Sequence, residues 1–477
     1  METAKKNTRL LDTRTEVSIQ EKTFLIHGSR KVPISTEYAS KYSLKFRYLD
    51  SQPVINSDES VNLLIKNNGQ SIEVGPCRII PIPEINDDAG RLVFFRDVYD
   101  FHSLFKNRKA KALQSAFHDL PLLLERKANI KIEFKEYTAD LKFDLQVYKN
   151  LFDDLDYEYA DEPEEVKEAV QNAILETEGP RYFQFFNNKL EELENLVSNF
   201  RREEHQLHGF YFRKQLWNFI ICGPFGAQSA VKPRGYAGDS ELMRMIYLNN
   251  FQGTSTFAKL MHKHAVSVPA AQSVRNRIEL IAQKINHFEK HSRLSSHEKF
   301  KVLSVGCGPA YELHNIFKSP QDCDRFQFAL FDQDSVALSE ASEVVKDIST
   351  KMGQPPTVDF IEGSVRTMLF SRKLNQKWGR FHFIYSMGVF DYLNFRVAKA
   401  VLDRLYRLLK PGGDLVVGNF HVSNPSKIYM EYWVDWPLMY RTEEEFRRMY
   451  ENISPAEASI LYDNTGSQMF LHLTRPE

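Results

Sequence analysis

The chain has 477 residues, 42% of them hydrophobic and 13% aromatic, which is too long for one ordinary domain and too apolar for a disordered chain. Sixty-two Lys and Arg against sixty-three Asp and Glu give a formal net charge of −1, which excludes a nucleic-acid polymer recognised by bulk electrostatics. No apolar run approaches the roughly eighteen residues of a bilayer span, and the charged opening METAKKNTRLLDTRTEVSIQ predicts no signal peptide. Cys77, Cys222, Cys307 and Cys323 form neither a CxxC pair nor a zinc pattern, so reduced thiols in a cytoplasmic protein without a metal are expected.

The first segment, 1–97, reads as a small antiparallel barrel or sandwich. KYSLKFRYLD (41–50), ESVNLLIKN (59–67) and RLVFF (91–95) are short, β-prone and separated by turn residues. From 98 to 222 the period becomes helical. LEELENLV (190–197) puts Leu190, Leu193, Leu196 and Val197 on one face with glutamates opposite. Nine acids against one lysine between Leu151 and Val170 read as a solvated helix face, and Asp161-Glu162-Pro163-Glu164-Glu165 as a helix start.

The segment 223–477 alternates strand and helix in its latter part. KVLSVG (301–306), FQFALF (326–331), TVDFI (357–361), FHFIYS (381–386) and DLVVGNF (414–420) are buried parallel strands by pattern. Helices SVALSEASEVVKDIS (335–349) and VAKAVLDRLYRLL (397–409) lie between them, and the tail closes as a β-hairpin around Asn-Thr-Gly. The fold class is therefore α/β, a Rossmann-like doubly wound sheet.

VLSVGCGPAYEL (302–313) is the most informative string. A strand ends at Gly306, and glycines at 306 and 308 let a ligand approach the backbone at a helix start. The next strand ends in Asp332, twenty-four residues after Gly308, where a carboxylate accepts bonds from ribose hydroxyls. A dinucleotide needs a third glycine at 311, to seat its pyrophosphate. Tyr311 stands there instead, so the site suits a nucleoside, S-adenosylmethionine before NAD.

With that string, FDQD, IEGSV (361–365), YSMGVFDYL (385–393) and LKPGGDLVV (409–417), the last 180 or so residues resemble a class I S-adenosylmethionine-dependent methyltransferase. The resemblance implies that Gly306 and Gly308 approach the methionine end and Asp332 the ribose. Gln333 would lie beside the adenine, and Ser364 with Val365 would meet its edge. Ser304 and Ser364 depart from the family, which often carries acids at both positions, and the second departure leaves the adenine to the backbone of Val365. Arg277 and Asp239 join the expected cofactor set, and Asp239 also sits where it would cap a helix beginning at Ser240.

KPRGYAGD (232–239), FDYL, NF (419–420) and DWPLMYRT (435–442) make residues 140–477 similar to the bacterial 3-hydroxypalmitic acid methyl ester biosynthesis proteins. That likeness implies methylation of a hydroxylated fatty-acid carboxylate. A carboxylate nucleophile needs aim and desolvation but no base; an amine or alcohol acceptor needs one. Candidates are Tyr236 on its glycine-flanked turn, Asp391 and Tyr392 after the fourth strand, and His421 after the fifth. Each of the last three also has a structural reading, as a helix cap, a core residue and a strand end. Lys232 and Arg234 would favour a bound carboxylate. The aromatic run IYMEYWVDWPLMYRT (428–442) would wall an apolar acceptor, with Arg441 as its carboxylate anchor.

The front segment resembles a PilZ-type barrel, a fold that reads cyclic di-GMP through an arginine pair and an Asp/Asn-x-Ser-x-x-Gly turn. Arg9 and Arg14 are spaced one residue too far apart, and Leu63 follows Asp58-Glu59-Ser60 where the glycine belongs, which weakens the case for cyclic di-GMP; a non-sensing barrel that docks onto the helical region is expected. The competing reading is a sensor or scaffold whose adenosyl-binding domain no longer turns over.

Overall fold

Alternating apolar residues build the first part of the chain as sheet and a change of period builds the rest around helices. In a computed structural model of the protein, the described residues are 22–39, 43–49, 55, 60–67, 70–81, 89–94, 126–234, 236–292, 294, 298–371 and 374–477. Contacts divide the chain into two units, Met1–Asn129 and Ile130–Glu477.

In the first unit six strands close an antiparallel barrel: β1 (Lys22–His27), β2 (Arg30–Ala39), β3 (Ser43–Tyr48), β4 (Ser60–Asn67), β5 (Gln70–Pro81) and β6 (Ala89–Phe94), ordered β1-β2-β3-β6-β5-β4. Leu25, Val32, Ile34, Leu44, Phe46, Leu63 and Ile65 alternate inward to fill it. Val74 and Cys77 are an odd number of residues apart yet both are buried. Val61 pairs with Cys77 and Leu63 with Val74, so Gly75 and Pro76 together oppose Asn62, and this bulge resets the alternation. The expected strands at 41–50, 59–67 and 91–95 correspond to β3, β4 and β6. Arg9, Arg14, Asp58 and Glu59 lie outside the described residues.

The second unit starts with helices Ile132–Glu158, Glu164–Val197 and Arg202–Gln215. The segment that the sequence sets apart as 98–222 is thus, from Ile130 on, one compact unit with the rest of the chain to Glu477. Pro163 immediately precedes the first residue of the second helix and two glutamates fill its first turn, as the acidic string implies. Leu193 and Val197 are fully buried from that helix, while Leu190 and Leu196 pack at the margin of the same core. Further helices form at Pro224–Val231, Ser240–Leu248, Thr256–Ser267 and Pro269–His291.

The sheet of the second unit has seven strands: β7 (Phe300–Val305), β8 (Phe326–Asp332), β9 (Thr357–Glu362), β10 (Phe381–Ser386), β11 (Leu409–Phe420), β12 (Glu457–Tyr462) and β13 (Gln468–Thr474), ordered β12-β13-β11-β10-β7-β8-β9. The five from β7 to β11 are parallel, and β13 pairs antiparallel with β11, so the terminal hairpin extends the sheet. This is a Rossmann-like doubly wound arrangement. No helix among the described residues is long and apolar enough to cross a membrane.

His262 and His264 are buried in the helical layer. His262 Nδ1 accepts the Phe225 N–H at 3.3 Å, and His264 Nε2 meets Asn187 Oδ1 at 2.8 Å; the other ring nitrogen of each has no partner. Burial pushes His262 down to about 4 and His264 to about 3. The unfolded chain therefore takes up these protons first. Their contribution to stability is complete above the ordinary histidine pKa of about 6.5 and is lost as pH falls toward 4. Thermal melting across that range should show the melting temperature dropping, with a shallower drop for His264→Asn.

Candidate active site

From β7 the chain steps outward to β8 and β9, then returns to lay β10 on the other flank of β7. Connections there leave in opposite directions and open a crevice at the C-terminal strand ends. A cavity of about 540 Å³ occupies this place.

Its floor is the glycine turn. Gly306 (φ +69°) and Gly308 (φ +55°) hold left-handed conformations, and a Cβ on Gly306 would collide with the Val389 side chain. The end of β8 pins the turn. The Gly306 N–H donates to the Phe331 carbonyl at 2.8 Å and the Gly308 N–H to Asp332 Oδ2 at 2.8 Å. Asp332 Oδ1 accepts the Asp334 N–H at 3.0 Å. Burial raises the pKa of Asp332 while these N–H groups oppose the rise. Each oxygen keeps acceptor capacity for a ligand hydroxyl.

Gly306, Gly308, Asp332, Gln333, Ser364, Val365 and Arg277 all line the cavity. Ser364 also caps a short helix, its Oγ accepting the Thr367 N–H at 3.3 Å. Arg277 reaches in from the helix Pro269–His291 and donates to the Met387 carbonyl at 3.0 Å. Tyr236 lines the cavity as well, its hydroxyl donating to Asp334 Oδ2 at 2.9 Å. Burial and Asp334 both raise its pKa, so it stays a phenol at neutral pH.

Asp391 is the buried acid on the β10 side of the cavity. One of its oxygens accepts the Phe420 N–H at 2.7 Å. Burial pushes its pKa up to about 7 against that bond and the charges of Arg277 and Arg441. Beside it the Tyr392 hydroxyl donates to the Ala237 carbonyl and accepts the Trp436 indole N–H, both at 2.9 Å. Gly238 (φ +79°) leaves no room for a Cβ between that ring and that hydroxyl. The lining is otherwise largely apolar, with Met243, Ile246, Val274, Phe420, Met430 and Val434 among its residues.

Several expected residues do other work. Arg441 is buried, and its guanidinium is occupied by the carbonyls of Phe390 and Leu393 and by Asn419 Oδ1, so it braces the loop after β10 and does not line the cavity. His421 lies outside the cavity too, its Nδ1 at 2.6 Å from Ser423 Oγ and its ring against Tyr462. Asp239 caps the helix Ser240–Leu248 through the Leu242 N–H at 3.0 Å and takes the Gln228 amide at 2.7 Å, which turns it from the cofactor set to the scaffold. Lys232 is paired with Asp435 at 2.8 Å, and Arg234 with Asp334 at 3.3 Å and Glu340 at 3.1 Å, so neither is available to a bound carboxylate. Glu312, Tyr385 and Trp436 line the cavity without having been singled out. Glu312 stands within the glycine-turn string, where an acid so close to a ligand loop was the available signal.

Residues 302–413 match the family model of a methyltransferase domain. No curated protein matches the chain. Among solved structures, a protein of Bordetella parapertussis described as a possible exported protein shares 16% identity over 63% of this chain and 97% of its own, with a TM-score of 0.40. Magnesium protoporphyrin IX methyltransferase from Synechocystis PCC 6803, crystallised with bound S-adenosylmethionine, shares 12% over 43% and 83%, with a TM-score of 0.30. The N-methyltransferase NodS from Bradyrhizobium japonicum WM9 shares 16% over 42% and 98%, with a TM-score of 0.29. The segment that carries the glycine turn, Asp332 and the β7–β10 crevice is thus a methyltransferase domain.

Proposed function

We propose that the chain is an S-adenosylmethionine-dependent O-methyltransferase whose acceptor is the carboxylate of a small apolar molecule, of the hydroxylated fatty-acid kind, converted to its methyl ester. The observation that carries this reading is a single cavity lined at once by Gly306, Gly308 and Asp332, by the buried acid Asp391, and by apolar side chains such as Met243, Ile246 and Val434.

The lining suits that cofactor. Among the described residues the only basic ones in it are Arg277 and Arg366, against the acids Glu312, Asp332 and Asp391. Tyr311 is packed edge-on against Tyr247 where a dinucleotide loop has glycine. Asp332 would hold the ribose, with Gln333 and the Ser364–Val365 turn beside the adenine. S-adenosylmethionine supplies an electrophilic methyl group on a sulfonium.

The chain's own residues aim the acceptor and exclude water. The apolar wall takes the acceptor body, which desolvates its carboxylate next to Asp391. At neutral pH a substantial fraction of Asp391 is protonated. In that form its free oxygen can donate to one acceptor oxygen and leave the other to attack; ionised, it repels the acceptor. An acid-base pair is not needed for a nucleophile that is already an anion. The competing reading, a cyclic di-GMP-type sensor, has less support. The closed barrel is compatible with a PilZ-like domain, but Leu63 is wholly buried in its core where that family's turn carries glycine.

Calorimetric titration should give micromolar binding of S-adenosylmethionine and S-adenosylhomocysteine, with none of NAD or cyclic di-GMP. Asp332→Ala, which removes both the ribose acceptor and the pin on Gly308, should weaken the two adenosyl ligands by at least about tenfold. Unchanged affinity would remove the assignment.

A pH–rate profile separates acceptor classes. With Asp391 at about 7, turnover of a 3-hydroxy fatty acid to its methyl ester should fall as pH rises through 7, and Asp391→Asn should flatten the profile. A rate that rises through the same region would mean Asp391 acts as a base, and the acceptor would then be a hydroxyl or amine.

A further inference from the structure

Glu312 stands just after the glycine turn, is 8% exposed and lines the cavity. Its Oε1 accepts the hydroxyl of Tyr385 at 2.7 Å. Burial raises its pKa, and that donor and the charge of Arg277 oppose the rise. Among the described residues no Lys, Arg or His makes an ion pair with it. The neighbouring strand end, Ser304, is neutral. Arg277 lines the same cavity and its charge is felt at Glu312, yet the two do not pair; Arg277 Nη1 is turned to the Met387 carbonyl.

A buried carboxylate without a counterion is costly, as is a guanidinium held apart from it. An acid and a base kept separate on one cavity wall form a complement to a zwitterion, and an α-amino acid group is such a ligand. Resting on the S-adenosylmethionine reading above, we infer that Glu312 receives the α-ammonium of the cofactor's methionine end while Arg277 faces its carboxylate. The ammonium is selected over the sulfonium because only the former has N–H groups to fill the remaining lone pairs of Glu312. Asp332 is already engaged by the two backbone N–H groups at the ribose position, and Asp391 stands at the acceptor junction with Tyr392, so neither competes for this role.

The test is calorimetry of Glu312→Gln, which keeps size and hydrogen bonding but not charge, with three probes. S-adenosylmethionine and S-adenosylhomocysteine carry the ammonium; 5′-deoxy-5′-methylthioadenosine has the same nucleoside without the amino-acid group. The expected result is a loss of at least about tenfold for the first two and no change for the third. Unchanged affinity for S-adenosylhomocysteine overturns the inference, and so does an equal loss for all three, which marks a structural role. Loss for S-adenosylmethionine alone assigns Glu312 to the sulfonium and also overturns it. Tyr385→Phe, which removes only the donor that orients Glu312, should give the same ligand pattern at smaller amplitude and serves if the first variant fails to fold. If the unaltered protein binds none of the three probes, the cofactor reading itself has failed.

Discussion

Two backbone N–H groups from different loops converge on the Asp332 carboxylate, one from Gly308 and one from Asp334. That convergence sets the spacing between the glycine turn after β7 and the loop after β8, both of which line the cavity. Asp334, held in turn, accepts the hydroxyl of Tyr236 and the guanidinium of Arg234. The KPRGYAGD segment is thereby moored to the same strand end, and its far side meets Tyr392 and Trp436. Three separate segments thus share one anchor. A carboxylate serves because it accepts several N–H groups at once and still has lone pairs for a ligand.

The helical layer supplies the other half of the cavity. The turn Tyr429–Trp433 comes after β11 and is buried against helices that lie more than two hundred residues earlier in the chain, with Trp433 lying 4.9 Å from Phe186 and 5.9 Å from Phe212, centroid to centroid. Arg213 clasps the same turn through the Glu431 carbonyl at 2.7 Å and Asp435 at 3.0 Å, and Lys232 reaches Asp435 from the other side. Asp435 sits at φ +52°, a conformation unfavourable for a residue with a side chain, and these two cations hold it there. Polar bonds thus anchor the backbone of the turn that contributes Tyr429 and Met430 to the cavity's lining.

This division explains what the sequence could and could not reveal. The parallel strands, the glycine turn and Asp332 obey local patterns of hydrophobic run, turn chemistry and spacing, and each is where the pattern implies. The charged residues were harder. Asp239 caps the helix at Ser240 as its position implies, whereas Arg441, Lys232 and Arg234 have the chemistry of site residues but hydrogen-bond to partners as far as 203 positions away. Spacing along the chain carries no information about such partners. Glu312 lies within the glycine-turn string itself, but its burial and its bond to Tyr385 depend on a strand seventy-three residues on. The helices likewise declared their faces through periodicity, but not that those faces would close a cavity at the sheet's edge.

The acceptor end poses an electrostatic problem that the same residues resolve. On the proposed reading an anion must enter an apolar space, and among the described residues Arg277 is the basic one nearest to Asp391 that lines it, since Arg366 belongs to the Ser364–Val365 turn at the adenine side. A permanently ionised Asp391 would place two negative charges together in a medium of low dielectric. Burial prevents this by pushing Asp391 up to about 7, so that the side chain can present a proton in place of a charge. Methyl transfer then turns the acceptor carboxylate into a neutral ester. Afterwards nothing charged remains on the apolar side, and the product has no ionic contact to break on leaving. The buried acid therefore suits both the arrival of an anion and the departure of a neutral molecule, which neither a lysine nor a fully ionised carboxylate at that position would do.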